Sequence, residues 1–452
     1  MSPHRYDAVI AGAGIAGSAC AAMLAAAGLR VAVIDGRSEE KVGARWVNAV
    51  PEQAFDDAGL ARPEGAERCA SRHRVVIASP SARVRLRFEE HGVVEVDMRL
   101  LGERLRRDAR RAGVTFHFGD RTTGVEQERG RLRAVEAGGR TLRAPLFVDA
   151  SGLPAALRRA VFPRWPSVAR MHLCTAAQAV FEIGDRAGCE EFLAREGMTS
   201  GEALARTGVA GGFSILNVRV DLEDGHVAVL TGSVQDEPAR PSGAQLLAAF
   251  VAAQPWLGPR RFGGAGAIPL RRPYARLGAP GLALLGDAAC MTFAVHGSGI
   301  ATGLRAARAL VDAVTSNAAD PGAERATWSY AARWHRELGG VLLAYDVVRR
   351  VTQRMSREEL EELMASGLMS DGSILAGIAQ EAPSLRADDV LSAARAVMRA
   401  PRLALRVVSG ARAVPACLWH GKRYPEEPDL RALRDFERRS ATLAGDPSDP
   451  VD

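Results

Sequence analysis

Lysine is nearly missing from this chain of 452 residues, which has only Lys41 and Lys422 although Lys and Arg together number 59. Its positive charge is therefore carried by arginine, and the arginines are interleaved with acids, as in Arg99–Arg111. A nucleic-acid surface requires clustered basic residues. The net charge of +6 and the pI of about 9.3 therefore predict no nucleic-acid partner. A tRNA-modifying enzyme, which the pI alone would suggest, is disfavoured.

The cysteines show no CxxC pair and no spacing typical of a metal site. In a chain of this length they indicate reduced, buried thiols in a cytoplasmic protein and not a disulfide framework. The histidines and acidic residues also show no spacing typical of a metal site, so we predict no metal ion. The six cysteines are Cys20, Cys69, Cys174, Cys189, Cys290 and Cys417.

Aromatic residues are also scarce, at 5%, whereas glycine occurs 46 times. The core is therefore expected to consist of Ala, Val and Leu, with many tight turns. A content of 47% hydrophobic and 25% charged residues is typical of a globular protein and excludes wholesale disorder. The length predicts two or three domains.

The longest uncharged run, Ala8–Leu29, covers 22 residues and is long enough to suggest a membrane span or a signal peptide. Four glycines interrupt it, Asp7 precedes it, and another apolar segment, Val31–Ile34, follows at once. We therefore reject a membrane span.

This run instead predicts a βαβ unit. Asp7–Ala11 is typical of a short buried strand, Ile15–Ala27 of an Ala-rich helix, and Val31–Asp35 of a second strand. The first turn contains the GxGxxG pattern of Gly12, Gly14 and Gly17. This pattern places a diphosphate at the helix N-terminus.

Each glycine of that turn has a physical role. Gly12 permits a tight turn, Gly14 allows the backbone to approach the diphosphate, and Gly17 allows close helix–strand packing. Asp35 ends the second strand, where its carboxylate suits a ribose diol and would repel a 2′-phosphate. The sequence therefore predicts FAD or NAD, and not NADP.

Two later segments distinguish between these dinucleotides. Residues 281–304 begin with an apolar strand, which is followed by Gly286-Asp287-Ala288-Ala289. The glycine-rich turn His296–Ile300 comes next, and a helix follows it. Asp287 can accept hydrogen bonds from ribityl hydroxyls, and the N–H groups near Gly299 and Ile300 can contact the flavin edge where charge collects on reduction. The other segment is a strand that ends in Asp149-Ala150-Ser151-Gly152.

The order GxGxxG, DASG and GDAA…GxGI resembles that of FAD-dependent oxidoreductases of the para-hydroxybenzoate-hydroxylase type, and within them the geranylgeranyl reductase and flavin-dependent halogenase branch. The resemblance covers about residues 5–315. It implies an α/β (α+β) fold with a discontinuous Rossmann-like FAD/NAD(P)-binding domain, an inserted β-sheet substrate domain and a C-terminal helical region. It also implies that Arg45, Arg99 and Thr122 contact flavin or adenine. The complete set of predicted FAD-contacting residues is Gly12, Gly14, Ile15, Ala16, Gly17, Asp35, Gly36, Arg37, Arg45, Arg99, Thr122, Gly286, Asp287, Gly297, Gly299 and Ile300.

The predicted domain boundaries follow from the same resemblance. The segments are FAD domain 1–70, substrate hairpin 71–98, FAD domain 99–160, substrate domain 161–265, FAD domain 266–318, helical domain 319–445 and a disordered tail 446–452. Neither Gly263–Gly266 nor Gly208–Gly212 links a strand to a helix, so neither predicts a second nucleotide site. NAD(P)H docking transiently, or a separate reductase, is therefore expected to supply electrons.

Departures from the family pattern separate the reaction types. Aromatic hydroxylases carry a serine where this chain has Ala155, and a histidine where it has Cys290. Halogenases carry a WxWxIP motif and a catalytic lysine, and Lys41 is poorly placed for that role. The prenyl-reductase pattern is also incomplete, because Ala294 replaces its loop proline.

These departures favour hydride transfer between flavin N5 and an apolar, unsaturated small molecule, of the kind found in secondary metabolism. A monooxygenase acting through a C4a-peroxide is the first alternative, and an atypical halogenase is the second. A non-catalytic lipid-binding escort protein is disfavoured because Asp35 and Asp287 are retained.

His296 lies in the flavin-facing turn and is the predicted catalytic proton donor, since histidine titrates near neutrality; the alternative is a histidine that only fixes the loop. Trp46, Asn48 and Val295 are predicted to line the substrate site. Cys290 is expected to be a buried filler. Pro401–Val414 combines arginines with Leu and Val and could contact a membrane surface or a lipid, although the pattern favours a core-packed helix with a solvated arginine face.

Overall fold

The computed structural model describes residues 4–69, 74–89, 92–383 and 401–452. Six strands form the central sheet, in the spatial order Gly278–Ala279 (β18), Leu282–Leu284 (β19), Leu146–Asp149 (β12), Ala8–Ala11 (β2), Val31–Asp35 (β3) and Thr115–Phe118 (β8). All neighbours are parallel except β18 and β19. The parallel strands are almost wholly apolar because helices and a second sheet cover both faces.

The helix Ile15–Ala26 (α1) follows β2 and packs against Met98–Arg111 (α3) and Ile300–Thr315 (α7). The α/β fold class and the Rossmann-like arrangement are therefore confirmed. A four-stranded sheet lies beside this core, in the order His4–Arg5 (β1), Arg140–Arg143 (β11), Arg131–Ala137 (β10) and Thr122–Glu128 (β9). Short helices at Gln53–Ala58 (α2) and Ala156–Val161 (α4) complete this part of the chain.

The inserted β structure is a seven-stranded sheet, here called the substrate sheet. Its spatial order is Leu257–Pro269 (β17), Leu173–Ile183 (β13), His226–Val234 (β16), Ser214–Asp221 (β15), Glu202–Thr207 (β14), Arg74–Ala78 (β5) and Arg85–Phe88 (β6). Arg186–Arg195 (α5) and Gly243–Ala252 (α6) accompany this sheet. Strand β17 extends to Pro269, beyond the predicted domain boundary at residue 265. Val47–Pro51 (β4) and Val93–Asp97 (β7) form an antiparallel pair between this sheet and the central one.

Helices dominate the chain after α7. They are Glu324–Trp334 (α8), Gly340–Gln353 (α9), Arg357–Ser366 (α10), Asp371–Ala379 (α11), Pro401–Ala411 (α12), Val414–Lys422 (α13) and Leu430–Ala444 (α14), with a π-helical turn at His335–Gly339 between α8 and α9. Part of the predicted helical domain, residues 384–400, lies outside the described residues, as do residues 71–73 and 90–91 of the predicted hairpin. Among the described helices, none is long and apolar enough to cross a bilayer.

The prediction that residues 446–452 are disordered is wrong. Val451 is buried in the main core, and the Asp449 carboxylate pairs with the guanidinium of Arg271. Asp446 pairs with Arg350. The tail is polar in sequence because it supplies the negative partners of arginines that are buried far from it along the chain, so its composition does not indicate solvent exposure.

Candidate FAD and substrate site

The GxGxxG turn joins β2 to α1 in the way its spacing predicts. Gly12 has a φ of +108°, and a Cβ there would lie 2.2 Å from the Ala150 carbonyl oxygen. A Cβ on Gly17 would lie 2.0 Å from the Gly12 oxygen. Gly14 is different, because a Cβ there would meet nothing within 4 Å. Gly12 and Gly17 thus serve packing, whereas Gly14 borders open space beside the α1 N-terminus.

Asp35 holds this turn against the end of β3. One carboxylate oxygen accepts from the Ala13 N–H at 3.0 Å, and the other accepts from the Arg37 N–H at 2.9 Å. The carboxylate is only partly buried and keeps lone pairs for further donors. It is therefore able to accept hydroxyl groups of a ribose next to the helix N-terminus.

The loop Gly286–Gly299 lies next to the GxGxxG turn, although the two are about 270 residues apart in sequence. Gly286 and Gly303 both approach Ala16 of α1; a Cβ on Gly303 would lie 3.1 Å from the Ala16 Cβ. Asp287 accepts from the Thr292 hydroxyl at 3.1 Å, and its carboxylate lies beside Gly299 at the N-terminus of α7. Burial raises the pKa of Asp287, and the Thr292 hydrogen bond opposes this shift. Two helix N-termini and two carboxylates therefore surround one space.

The segment Asp149-Ala150-Ser151-Gly152 forms another part of the wall around this space. The Asp149 carboxylate is buried and accepts from the Ser151 hydroxyl at 2.6 Å and from the Arg158 N–H at 2.7 Å. Asp149 is thus a structural residue that fixes the turn. The following residues, Ala150–Pro154, face the cavity, and sequence reasoning did not include them although it identified their motif.

The space is a cavity of about 590 Å³, here called the large cavity. It fits a dinucleotide, because unpaired first-turn N–H groups of α1 and α7 and the Asp35 and Asp287 carboxylates border it, and Gly14 leaves room for close approach. Predicted residues in its wall are Gly12, Gly14, Ile15, Ala16, Asp35, Arg37, Arg45, Trp46, Asn48, Gly286, Asp287, Gly297, Gly299 and Ile300.

Five predicted residues, Gly17, Gly36, Arg99, Thr122 and Val295, lie outside this wall. Gly36 lies against Arg121, and Thr122 begins β9 in the four-stranded sheet. Arg99 pairs with Asp97 at 2.6 Å and stacks 3.4 Å from the centroid of the Phe262 ring. Val295, predicted to line the substrate site, is 39% exposed and lies in the wall of neither cavity described here.

The glycine-rich segment of β17 is a site feature that sequence reasoning missed. Gly264–Ile268 lines the large cavity and runs beside Arg45 and Trp46. A Cβ on Gly266 would lie 3.8 Å from the Trp46 ring. The overlapping stretch Gly263–Gly266 does not predict a nucleotide site, because it does not link a strand to a helix. Its glycines instead keep the wall free of side chains, a role for which the sequence has no periodic signal.

A second, smaller cavity of about 190 Å³ adjoins the first. Asn48 lines both cavities, and His296 of the small cavity is followed by Gly297 of the large one. The wall is mainly aliphatic. It is formed by Val47, Ala49, Val75, Ile77, Val93, Ala203, Ala205, Val218, Ala228, Leu230 and Ile378, with Asn48, Glu95, Gln178, Asn217, Arg219 and His296 as its polar members.

His296 is held on both sides of its ring. Its Nδ1 accepts from the Ser298 N–H at 3.3 Å, and a second hydrogen bond involves the Gly377 backbone. The ring also stacks on Phe293 with centroids 4.9 Å apart. Burial lowers the pKa of His296 to about 4, although the Gly377 backbone hydrogen bond opposes this shift, so the imidazole is neutral at pH 7.

Two further predictions concern the Cys290 thiol and a metal site. Cys290 is fully buried, and burial raises its pKa to about 11, which makes it an inert thiol. Within the described ranges, no group of His, Cys, Asp and Glu is arranged to hold a metal ion.

Comparisons with known proteins agree with this geometry. Residues 5–187 match the family model described as FAD binding domain. A digeranylgeranylglycerophospholipid reductase from Methanopyrus kandleri is 26% identical over 388 residues, which cover 81% of this chain and 99% of the relative. These matches confirm the resemblance and the FAD cofactor.

Solved structures share the fold. A geranylgeranyl bacteriochlorophyll reductase-like protein from Thermoplasma acidophilum superimposes with a TM-score of 0.72 at 16% identity, over 90% of this chain and all of the other. A flavin-dependent brominase gives a TM-score of 0.63 at 15% identity, over 88% of this chain and 99% of the other.

Proposed function

We propose that this chain, an FAD-dependent oxidoreductase, reduces a carbon–carbon double bond of an apolar small molecule seated beneath the substrate sheet. The observation that supports this proposal is the small cavity. It is aliphatic, it adjoins the large cavity at Asn48, and strands of the substrate sheet form much of its wall. Bound reduced FAD supplies a hydride from its N5 atom, and the protein supplies binding, orientation and exclusion of water.

The residues that would hold FAD act through fixed donors and acceptors. The first-turn N–H groups of α1 favour an anionic diphosphate, and the Asp35 carboxylate would accept from ribose hydroxyls. At the other end, Asp287 and the N-terminus of α7 would bind the ribityl chain and the electron-rich edge of the ring. These groups are held by hydrogen bonds within the protein, so little reorganisation is needed on binding.

The charges around the small cavity favour a neutral substrate. Arg219 is buried and pairs with the Glu95 carboxylate, and its Nη2 also donates to the Cys69 carbonyl at 2.9 Å. Gln178 uses its amide to hold both backbone groups of Val47. The guanidinium is therefore already neutralised, and an anionic substrate would gain little from it. An alcohol or carbonyl group fits this wall better than a phosphate.

The size of the small cavity suggests which part of the substrate it binds. At ~30 Å³ for each water-sized group, 190 Å³ holds about six carbon-sized groups. This corresponds to one prenyl unit or slightly more. A longer isoprenoid chain would have to extend into the large cavity or beyond the opening.

Water is the better candidate for the proton donor. The ring nitrogens of His296 are engaged by Ser298 and by the Gly377 backbone, and the low pKa keeps the imidazole neutral. We therefore assign His296 to holding Gly377 of α11 over the small cavity. The electron donor that we propose is NAD(P)H, docking transiently, or a separate reductase.

The experiment is an anaerobic single turnover. The purified holoenzyme is reduced with dithionite and mixed with geraniol, farnesol or geranylgeraniol, and with geranyl diphosphate as the anionic comparison. We expect stoichiometric return of the oxidised flavin spectrum with a neutral prenyl alcohol, and a saturated product by mass spectrometry. The relatives named as digeranylgeranylglycerophospholipid reductases support the choice of prenyl chains as probes, and the anionic comparison tests whether a phosphate is needed.

The competing reaction is oxygenation. If none of these alcohols reoxidises the flavin anaerobically, and admission of air instead produces a hydroxylated or epoxidised prenyl product, the reductase proposal is refuted. Preferential turnover of geranyl diphosphate would refute the expectation of a neutral substrate while leaving the reductase reaction in place.

A further inference from the structure

Helices α12 and α13 form a nearly continuous rod along α9. Leu403 and Val407 pack in one cluster with Met355, whereas Cys417 packs with Leu343 and Ala344. The rod therefore runs antiparallel to α9, with one face turned inward. These contacts fix which side chains of the rod point away from the protein.

The outward face carries exposed apolar side chains in a regular stripe. Leu405 is 73% exposed, Val408 44% and Trp419 66%. Together with Arg412, Pro415 and Lys422 they recur at intervals of three and four residues, as expected for one side of a helix. This set of six is here called the outward stripe. The sequence pattern of Pro401–Val414 favours a core-packed helix with a solvated arginine face, which does not account for the exposed Leu405 and Val408.

The charge on this rod is of one sign. Residues 401–423 contain no Asp or Glu but include Arg402, Arg406, Arg412, Lys422 and Arg423. Within the described part of the chain, Arg406 pairs with Glu359, and the other four form no ion pair. Two of these four cations, Arg412 and Lys422, lie within the outward stripe, and the other two lie near its ends.

We propose that the outward stripe docks this protein on the surface of a negatively charged lipid bilayer. Trp and Leu are expected to enter the interfacial region, where an amphipathic tryptophan is favoured. The arginines and the lysine are expected to remain at the level of the anionic headgroups. No helix needs to cross the bilayer for this, and the inference does not depend on the proposed reaction.

The expected strength can be divided between charge and burial. Each basic residue near an anionic membrane surface contributes about fivefold in partitioning, and this contribution is screened by salt. Insertion of an exposed leucine or tryptophan contributes about tenfold or more. Binding is therefore expected to require anionic lipid and low or physiological salt, and to fall at high salt.

The test is flotation of the FAD-loaded, full-length protein with vesicles. Vesicles of phosphatidylcholine alone are compared with vesicles that also contain phosphatidylglycerol. We expect the protein to float with the anionic vesicles, and to be released by high salt. The double variant Leu405→Ser/Trp419→Ser should reduce binding about 100-fold or more, and Arg412→Ala/Lys422→Ala about 25-fold.

Matched controls separate this surface from general stickiness. Met171→Ser removes another exposed apolar side chain (41% exposed), and Arg186→Ala removes an exposed cation elsewhere, so both should float as the wild type does. Thermal melting and the bound flavin spectrum establish that each variant is folded. Trp419→Phe should remove most of the blue shift in fluorescence on addition of vesicles.

Three results would overturn the proposal. The first is failure of the wild type to float with either vesicle. The second is equal flotation of the wild type and the stripe variants. The third is a concentration-dependent dimer in sedimentation that the Leu405→Ser/Trp419→Ser variant dissociates, because the stripe would then be an interface between two copies of the chain.

Discussion

The ordered C-terminal tail makes a sharp prediction about stability, because Asp449 and Asp452 are close in sequence and differ in burial. The side chains of Asp449 and of its partner Arg271 are each 7% exposed, and Asp449 also lies 3.2 Å from the guanidinium of Arg272. Asp452 pairs with Arg434, and these side chains are 62% and 51% exposed. The substitutions Asp449→Asn and Asp452→Asn therefore remove the same charge from two different environments.

Removing one partner of a buried pair leaves an uncompensated charge, which costs about 3–5 kcal/mol. Arg272 keeps Glu437 at 2.8 Å, and Arg271 keeps the ring of Tyr274 at 4.8 Å, so the lower end of this range is expected. An exposed pair contributes about 0–1 kcal/mol. With an unfolding entropy of ~2.1 cal/mol/K per residue, Asp449→Asn should lower the Tm by about 3 °C and Asp452→Asn by less than about 1 °C.

The assay is differential scanning fluorimetry of the FAD-loaded proteins, followed by chemical denaturation. Replacement of both partners by apolar residues, in Arg271→Met/Asp449→Leu, should regain much of the lost stability, since no buried charge then remains unpaired. Equal melting temperatures for Asp449→Asn and Asp452→Asn would refute the reasoning, and would mean that the tail does not neutralise Arg271 in solution.

Three further predictions concern the site and its support. Gly17→Ala should lower both the Tm and FAD content, because its Cβ would lie 2.0 Å from the Gly12 oxygen. In contrast, Gly14→Ala should leave the apoprotein Tm unchanged but weaken FAD binding about tenfold (~1.4 kcal/mol), as measured by flavin fluorescence titration. Because the pKa of His296 is lowered to about 4 by burial, the pH–rate profile should show no step near pH 6.5, and a step that His296→Gln removes would contradict this. Burial raises the pKa of the Asp346 carboxyl, but the guanidiniums of Arg349 and Arg350 outweigh burial and lower this pKa from 3.8 to about 2. The ionised Asp346 therefore contributes about 2 kcal/mol to the free energy of unfolding above pH 4, and this contribution should be lost as the pH falls to 2. Acid unfolding should accordingly be less steep in Asp346→Asn.

Local spacing predicted the parts of this fold that depend on local geometry. The GxGxxG turn required a backbone with positive φ at Gly12 and a close approach at Gly17, and both follow from a strand, a turn and a helix within thirty residues. Asp35 could be placed for the same reason, since β3 ends beside the turn. The FAD cofactor and the fold class, predicted from the order of three such motifs, are confirmed.

The features that the sequence did not predict are those set by contacts between distant segments. Gly264–Ile268 lines the large cavity because β17 pairs with β13 next to Trp46, and nothing within β17 indicates this neighbour. The prediction that Arg99 and Thr122 contact flavin or adenine rests only on their positions in the family resemblance. In this chain Arg99 is occupied by Asp97 and Phe262, so its position outside the wall follows from side chains that are specific to this sequence.

The scarcity of lysine has a structural counterpart in the interior. Arg272 is buried and donates to Glu437 and to the Pro447 carbonyl, while Arg349 joins Asp346 to His172. Each of these links uses several N–H groups in one plane, a geometry that guanidinium provides and ammonium does not. Arginine in this chain therefore serves internal links as well as surface charge.

These buried links also connect the tail to the substrate site. His172 precedes β13, and its carbonyl accepts from the Leu270 N–H at 2.7 Å, where β17 ends and the chain returns to the central sheet. Arg349 of α9 contacts His172 from the C-terminal side. Because β13 and β17 carry Gln178 and Gly264–Ile268, the C-terminal helices fix the same two strands that form the roof of both cavities. Loss of the tail should therefore loosen the substrate sheet before it disturbs the GxGxxG turn, which is held by contacts with Ala150, Gly286 and Gly303.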